Sequence, residues 1–213
     1  ERPQNLVSYH LKKLKVAGLV KERKSSADRR DIYYSLSFDH LQQVLFASGQ
    51  ALHPGLLSKR PAPTDIGSRK NQPTTRVLFL CTHNSARSQM AEGIFRAKSS
   101  ARFAVFSAGD IVSEVHPLAI QAAAEIGFDI SQQRSKHFKI FENNSFDHII
   151  TVCDQVRETC PVFPGDPLQI HWSLPDPVSV EGNKTTRYHA FVETGQELES
   201  RIEQFLIRLR DEG

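Results

Sequence analysis

Val77-Leu78-Phe79-Leu80-Cys81-Thr82-His83-Asn84-Ser85-Ala86-Arg87-Ser88 runs from an apolar block through a polar loop into a segment that carries Met90, Ile94 and Phe95 at helical spacing. A short apolar run, a polar break and a period near 3.6 predict strand, loop and helix in that order. At such a junction successive backbone N–H groups turn toward one point. With the positive end of the helix dipole they make a nest for a tetrahedral oxyanion. The expected nest is Thr82, His83, Asn84, Ser85, Ala86, Arg87 and Ser88, with Arg87 adding a planar, permanently charged fork. The same field is expected to stabilise a thiolate at Cys81, since thiol pKa values beside cations and helix N-termini fall from about 8.5 to about 3.5–7.5. One loop would then both bind an anion and activate a nucleophile.

Outward from this stretch the pattern alternates. Strands are predicted over residues 103–106 and 148–152 and near 170–172. Helices are predicted over 117–126 and 196–209, the last with Leu198, Ile202, Phe205, Leu206 and Leu209 along one stripe. This order implies an α/β fold, a four-stranded parallel sheet with helices on both faces, with ligands beyond the carboxyl ends of the strands.

Upstream the organisation changes. Residues 6–17 carry Val7, Leu11 and Leu14 along a helical stripe that stops at Gly18, and residues 19–24 and 31–36 read as two short strands around a polar turn holding Arg29 and Arg30. A further helix is predicted over 39–52. Residues 55–75 gather Pro61, Pro63, Gly67 and Pro73 without apolar periodicity, which marks a linker between a unit at 1–54 and a unit at 76–213.

Charge divides at the same place. Residues 1–70 hold 13 Lys and Arg against 6 Asp and Glu, and the remainder holds 14 against 18. Either the first unit meets a polyanion such as nucleic acid, or it has a solvated basic face. The 39% hydrophobic content is that of a soluble globular protein. No apolar run approaches the roughly 18–20 residues that span a bilayer, so no membrane partner is expected. The only methionine is Met90 and the chain opens at Glu1, so the natural start is expected upstream. Three cysteines, all beyond residue 80, are too few for a stapled secreted scaffold. Working thiols in the cytoplasm are expected instead. The histidines show no metal-ligand spacing.

Cys-x5-Arg-Ser after an apolar strand resembles the signature loop of low-molecular-weight phosphatases and thioredoxin-linked arsenate reductases. Asn84-Ser85, Met90-Ala91-Glu92-Gly93 and Ser107-Ala108-Gly109 resemble the reductase branch, and the resemblance covers roughly residues 76–210. Reducing arsenate takes two electrons and hydrolysing a phosphate ester takes none, so further thiols separate the two activities. Cys153 closes a predicted strand on the same sheet edge as Cys81, and a polar run that reads as a short helix joins it to Cys160. The alternative is two inert thiols. The resemblance implies that Cys81 attacks arsenic, Cys153 attacks Cys81 with release of arsenite, and Cys160 attacks Cys153. An external dithiol such as thioredoxin would then reset the 153–160 disulfide.

Asp176, in Leu174-Pro175-Asp176-Pro177, resembles the family's general acid, whereas an isolated Asp-Pro more often starts a turn. Val178 and Ser179 follow where the phosphatases usually place tyrosines. Asn84, Glu92 and Ser107 resemble a monovalent-cation site, which makes potassium a candidate ligand. No tightly bound cofactor is expected. The other enzymatic reading is a protein-tyrosine or small phosphomonoester phosphatase using Cys81, Arg87 and Asp176 alone. A third reading is a regulator whose second unit only binds oxyanion.

Residues 5–20 resemble the recognition helix of an arsenical-repressor-type winged helix-turn-helix, and residues 29–34 resemble its wing, over about residues 3–52. The resemblance implies operator DNA as a partner. Gln4, Asn5, Ser8, Tyr9 and His10 would reach bases, and Lys12, Lys13, Arg29 and Arg30 would contact phosphate. The preceding helices of that fold would lie upstream of Glu1, making this a partial domain. A charged helix and hairpin that only packs against its neighbour is the rival.

Overall fold

The structure, a computed structural model, describes residues 4–25, 30–37, 40–41, 43–45, 48, 74–159 and 161–211. The chain divides into two compact units, Glu1–Lys70 and Asn71–Gly213.

In the first unit, α1 (Gln4–Val16) ends where Gly18 takes φ +71°, and the backbone N–H of Leu19 closes the last turn on the carbonyl of Leu14 at 3.0 Å. β1 (Val20–Lys24) then pairs antiparallel with β2 (Ile32–Leu36), Val20 opposite Leu36 and Lys24 opposite Ile32. Residues 40–41, 43–45 and 48 are again helical. Among the described residues of this unit Val20 is the buried apolar side chain, while Leu6, Val7, Leu14, Leu36 and Leu45 are exposed. The predicted linker falls outside the described residues up to residue 73. Its last residue, Thr75, already belongs to a strand.

The second unit is built on β3 (Thr75–Cys81), β4 (Phe103–Gly109), β5 (His148–Thr151) and β6 (Leu168–His171), ordered β4-β3-β5-β6 and parallel throughout. β3 is central, and Val77, Leu78, Phe79, Leu80 and Cys81 are all buried, as expected of a strand covered on both faces. The long helices are α2 (Arg87–Lys98), α3 (Pro117–Glu125) and α5 (Lys184–Asp211), with a short α4 (Asp154–Thr159) after β5. The faces of the sheet are covered differently. On one, Phe79 meets Phe95 of α2 at 5.8 Å between ring centroids and Trp172 at 5.8 Å, and Phe95 meets Phe205 of α5 at 6.3 Å. On the other, Phe106 packs against Phe141 at 5.5 Å and Phe146 at 5.8 Å, so a 3-10 helix at Phe138–Phe141 closes that side.

The parallel sheet is as the alternation predicts, with two differences of extent. β4 continues to Gly109, and α5 begins at Lys184, well before the predicted 196. Its polar first turns and Gly195 hide the helix from a reading of periodicity, yet Phe191, Val192 and Leu198 continue the buried stripe. Gly195 is there for proximity, since a Cβ on it would lie 2.8 Å from Ile126 Cδ1.

Phe79 contacts Phe95 of α2 and Trp172 from a fully buried position. Phe79→Ala is expected to cost about 3–5 kcal/mol of the second unit's stability, read as a lower urea midpoint with an unchanged slope.

Candidate active site

β3 delivers Cys81 to the carboxyl edge of the sheet, and the chain turns through residues 82–86 before α2 starts at Arg87. The turn requires Asn84 at φ +47°, a left-handed conformation that Asn tolerates better than most residues. It also requires a glycine on β4. A Cβ on Gly109 would lie 2.7 Å from Asn84 N, 2.8 Å from Thr82 O and 2.9 Å from Cys81 O. Ala86 precedes α2 without a side-chain cap, which leaves first-turn N–H groups for an anion.

The loop's polar groups converge on the thiol. Cys81 Sγ accepts from Asn84 N–H at 3.1 Å and lies 2.7 Å from Ser88 Oγ. Asn84 Nδ2 donates to Ser88 Oγ at 2.8 Å and to Ser107 Oγ at 2.9 Å. Its Oδ1 accepts from Gln89 Nε2 at 2.9 Å and from Lys136 N–H at 2.7 Å. Ser107 Oγ donates to Glu92 Oε2, and Glu92 is held in turn by Arg96 and by Lys136 Nζ at 3.2 Å. Asn84, Glu92 and Ser107 therefore adjoin as the resemblance implies. The carbonyl of exposed His83 points outward to accept from Ser113 Oγ at 3.3 Å and Ser135 Oγ at 3.1 Å.

Arg87 is buried and its fork is engaged: Nη2 pairs with Asp176 Oδ2 at 2.9 Å and Nη1 donates to Leu174 O at 3.1 Å. The Asp176 loop, turned into a 3-10 helix by Pro177, is thus drawn against the anion loop. Asp176 also begins the turn in the ordinary way, its Oδ1 accepting from Val178 N–H at 3.1 Å.

One expectation is corrected. Burial pushes the Cys81 thiol up from its ordinary value, and Cys153 adds to the rise; Ser88 and Arg87 pull it down by less. The thiol is fully enclosed, and both prongs of Arg87's fork are engaged by Asp176 and the Leu174 carbonyl, so the loss of water outweighs the positive field.

Cys153 lies on the adjacent strand end. Leu80 is in register with Thr151, which puts Cys153 two residues further out, buried, with its Sγ 3.3 Å from Thr82 Oγ1. Both Cys81 and Cys153 are free thiols. The predicted helix between Cys153 and Cys160 exists as α4, while Cys160 lies outside the described residues. Asp154, buried at the head of α4, accepts from Ser173 Oγ at 2.8 Å and meets His171 Nε2 at 3.3 Å.

Reading the sequence missed several of these groups. Gln89, Gly109, Lys136 and Asp154 act through tertiary contacts that local pattern does not reveal. His116 was missed too. It caps α3 by accepting Leu118 N–H at 3.1 Å, its ring stacks on Phe191 at 4.7 Å, and burial and Arg187 push its pKa down against the pull of Asp176. Of the residues expected to meet DNA, Ser8, Tyr9, His10, Lys12 and Lys13 are exposed on α1 and Arg30 is exposed at the hairpin. Gln4 and Asn5 open α1, and Arg29 lies outside the described residues. Among the described residues no group of three or more His, Cys, Asp and Glu side chains is placed to hold a metal ion. None of their helices is long and apolar enough to cross a membrane.

A parallel sheet that presents a buried cysteine and an arginine from one oxyanion loop, opposite an aspartate, defines an enzyme of thiol-based oxyanion chemistry. Residues 76–213 match the model of the low molecular weight phosphotyrosine protein phosphatase family, and the chain belongs to that family. The arsenate reductase of Shouchella clausii (strain KSM-K16) is 38% identical over 129 residues, 61% of this chain and 93% of its own length. That of Bacillus subtilis (strain 168) is 33% identical over 129 residues, with the same 61% and 93% coverage. A solved structure of an arsenate reductase in its oxidized state superposes with TM-score 0.55 at 30% identity, covering 63% of this chain and 98% of that one. The low molecular weight protein tyrosine phosphatase of T. tengcongensis superposes with TM-score 0.52 at 25% identity, covering 63% and 99%.

In the ligand-free enzyme the rate of Cys81 alkylation by iodoacetamide is expected to keep rising with pH past the ordinary thiol value of about 8.5. Ser88→Ala, which removes the largest downward influence, is expected to move the midpoint higher still. A midpoint near neutrality would contradict the dominance of burial.

Proposed function

We propose that residues 76–213 reduce arsenate to arsenite through a relay of three thiols. The observation that carries this reading is the placing of Cys153 beside Thr82 of the Cys81 loop, both thiols free and buried on adjacent strand ends. An ester hydrolase has no use for the second. The relatives named arsenate reductase support the same reading.

The chemistry follows from the groups present. Arsenate enters the loop and takes the Arg87 fork in place of Asp176. Asp176, released from Arg87 as a carboxylate, takes the Cys81 proton; the thiolate attacks arsenic, and Asp176 passes that proton to the oxygen that leaves as water. Cys153 then attacks Cys81 Sγ. The S–As bond breaks with its electron pair remaining on arsenic, which departs as arsenite while a Cys81–Cys153 disulfide forms. Cys160 displaces Cys81 from Cys153, and an external dithiol of the thioredoxin class reduces the 153–160 disulfide. Two thiols lose two electrons and arsenic gains them.

The phosphatase reading draws on one observation, the Arg87–Asp176 pair at 2.9 Å, which with Cys81 suffices for a phosphoenzyme cycle. Arsenite release in the presence of thioredoxin, thioredoxin reductase and NADPH separates the two. Turnover is expected to vanish in Cys81→Ser, Cys153→Ser and Cys160→Ser alike. Phosphatase activity that needs only Cys81, without arsenite, would establish the other reading.

We further propose that the N-terminal unit is a partial winged-helix module that contacts operator DNA and is joined to the reductase as an arsenic-responsive regulator. What supports it is a basic helix with exposed Ser8, Tyr9, His10, Lys12 and Lys13, followed directly by an antiparallel hairpin. Replacing Lys12 and Lys13 by Ala is expected to weaken operator binding and flatten its dependence on salt. Binding that ignores sequence in the unaltered chain would refute base readout.

A further inference from the structure

The resemblance to the reductases implies a monovalent cation at Asn84, Glu92 and Ser107, and the side chains around that point do not fit one. A cation needs oxygen lone pairs facing it. Asn84 turns its Nδ2 amide toward Ser107, and its Oδ1 is taken by Gln89 Nε2 and Lys136 N–H. Glu92 Oε2, the oxygen that accepts from Ser107, already has Lys136 Nζ at 3.2 Å. An ion there would meet N–H donors and an ammonium group.

We propose that the Lys136 ammonium is the resident cation of the anion loop, a positioning residue that makes oxyanion binding independent of potassium. Glu92 is almost wholly buried, and a buried carboxylate persists only when paired and hydrogen-bonded. Arg96 answers its outer oxygen from a side chain that is 56% exposed. Lys136 answers the inner one, and the chain of contacts continues through Ser107 and Asn84 to the thiol.

Lys136 is also fixed where it must be. Its N–H holds Asn84 Oδ1 at 2.7 Å, its carbonyl accepts Gly109 N–H at 2.9 Å, and Nζ is steadied by donating to Arg134 O at 3.1 Å. A change of side chain leaves the two backbone bonds in place and removes the charge with its contacts to Glu92 and the Arg134 carbonyl.

The inference rests on the oxyanion loop, and its test uses inorganic phosphate so that it does not depend on arsenate turnover. Phosphate affinity is measured by titration calorimetry in potassium chloride and in choline chloride at equal ionic strength. The unaltered protein is expected to bind equally in both salts. Lys136→Met is expected to bind about tenfold more weakly in choline, with thermal unfolding confirming that it is folded. Lys136→Arg should retain affinity in both salts. Lys136→Ala, which opens room for an ion, should regain affinity in potassium and not in choline. Potassium dependence in the unaltered protein, or undiminished binding by Lys136→Met, would overturn the proposal. Phosphate binding as stated without any arsenite formation would support it and defeat the arsenate reading instead.

Discussion

The active end of the sheet depends on Asn84. It is completely enclosed and left-handed, its N–H is given to the Cys81 sulfur, and its side chain gives two hydrogen bonds and accepts two. Only an amide offers donors and acceptors from one small planar group. Aspartate would lose both donors and bring a second buried charge next to Glu92. Because the residue is saturated, the loop's curvature is set by three separate segments: α2 through Ser88 and Gln89, β4 through Ser107, and the stretch around Lys136. The nest exists before any ligand arrives, which is what electrostatic preorganisation requires.

Charge around the loop is arranged in two groups that do different work. Glu92 is buried and closed by Lys136 and Arg96, which reach in from the surface. Arg87 with Asp176 is open on one side, the carboxylate side chain being 36% exposed. An oxyanion is the natural competitor for Asp176, since it presents more oxygens to the same fork. On the proposed mechanism its entry frees the Asp176 carboxylate beside the reacting centre, where it can take up and pass on a proton. Burial meanwhile pushes the Cys81 thiol up from its ordinary value.

How much of this could be read from the chain varies with the range of the contacts. The apolar block at residues 77–80, the junction at Arg87 and the alternation of strands and helices depend on local pattern, and the parallel sheet followed from them. The Cys81 loop was legible because each of its residues lies next to the others in sequence. Lys136, Gly109 and Leu174 were not, because their roles exist only after β4 and the following loops have folded against β3. The direction of the Cys81 shift was misjudged for the same reason. Local sequence shows Arg87 but hides that the fork is shared and that the thiol is enclosed. Gly195 misled by looking like a helix stop when it serves the approach of α5 to Ile126.

The second thiol is held in a way that couples chemistry to a change of shape. α4 has six residues, too few to persist alone when isolated helices need about 12–15. It stands because Val156 is buried and because Asp154 is anchored to His171 at the end of β6 and to Ser173 beyond it. The six residues of α4 advance about 9 Å at about 1.5 Å each, whereas a disulfide needs Cα atoms within about 7 Å. A disulfide joining the two ends of α4 is therefore incompatible with the intact helix. On the three-thiol reading, the last transfer must unwind the helix and strain or release the Asp154 anchors. The oxidised enzyme would thus present a different surface beside its loop from the reduced one, and a dithiol reductant could distinguish the two states by shape before exchange begins.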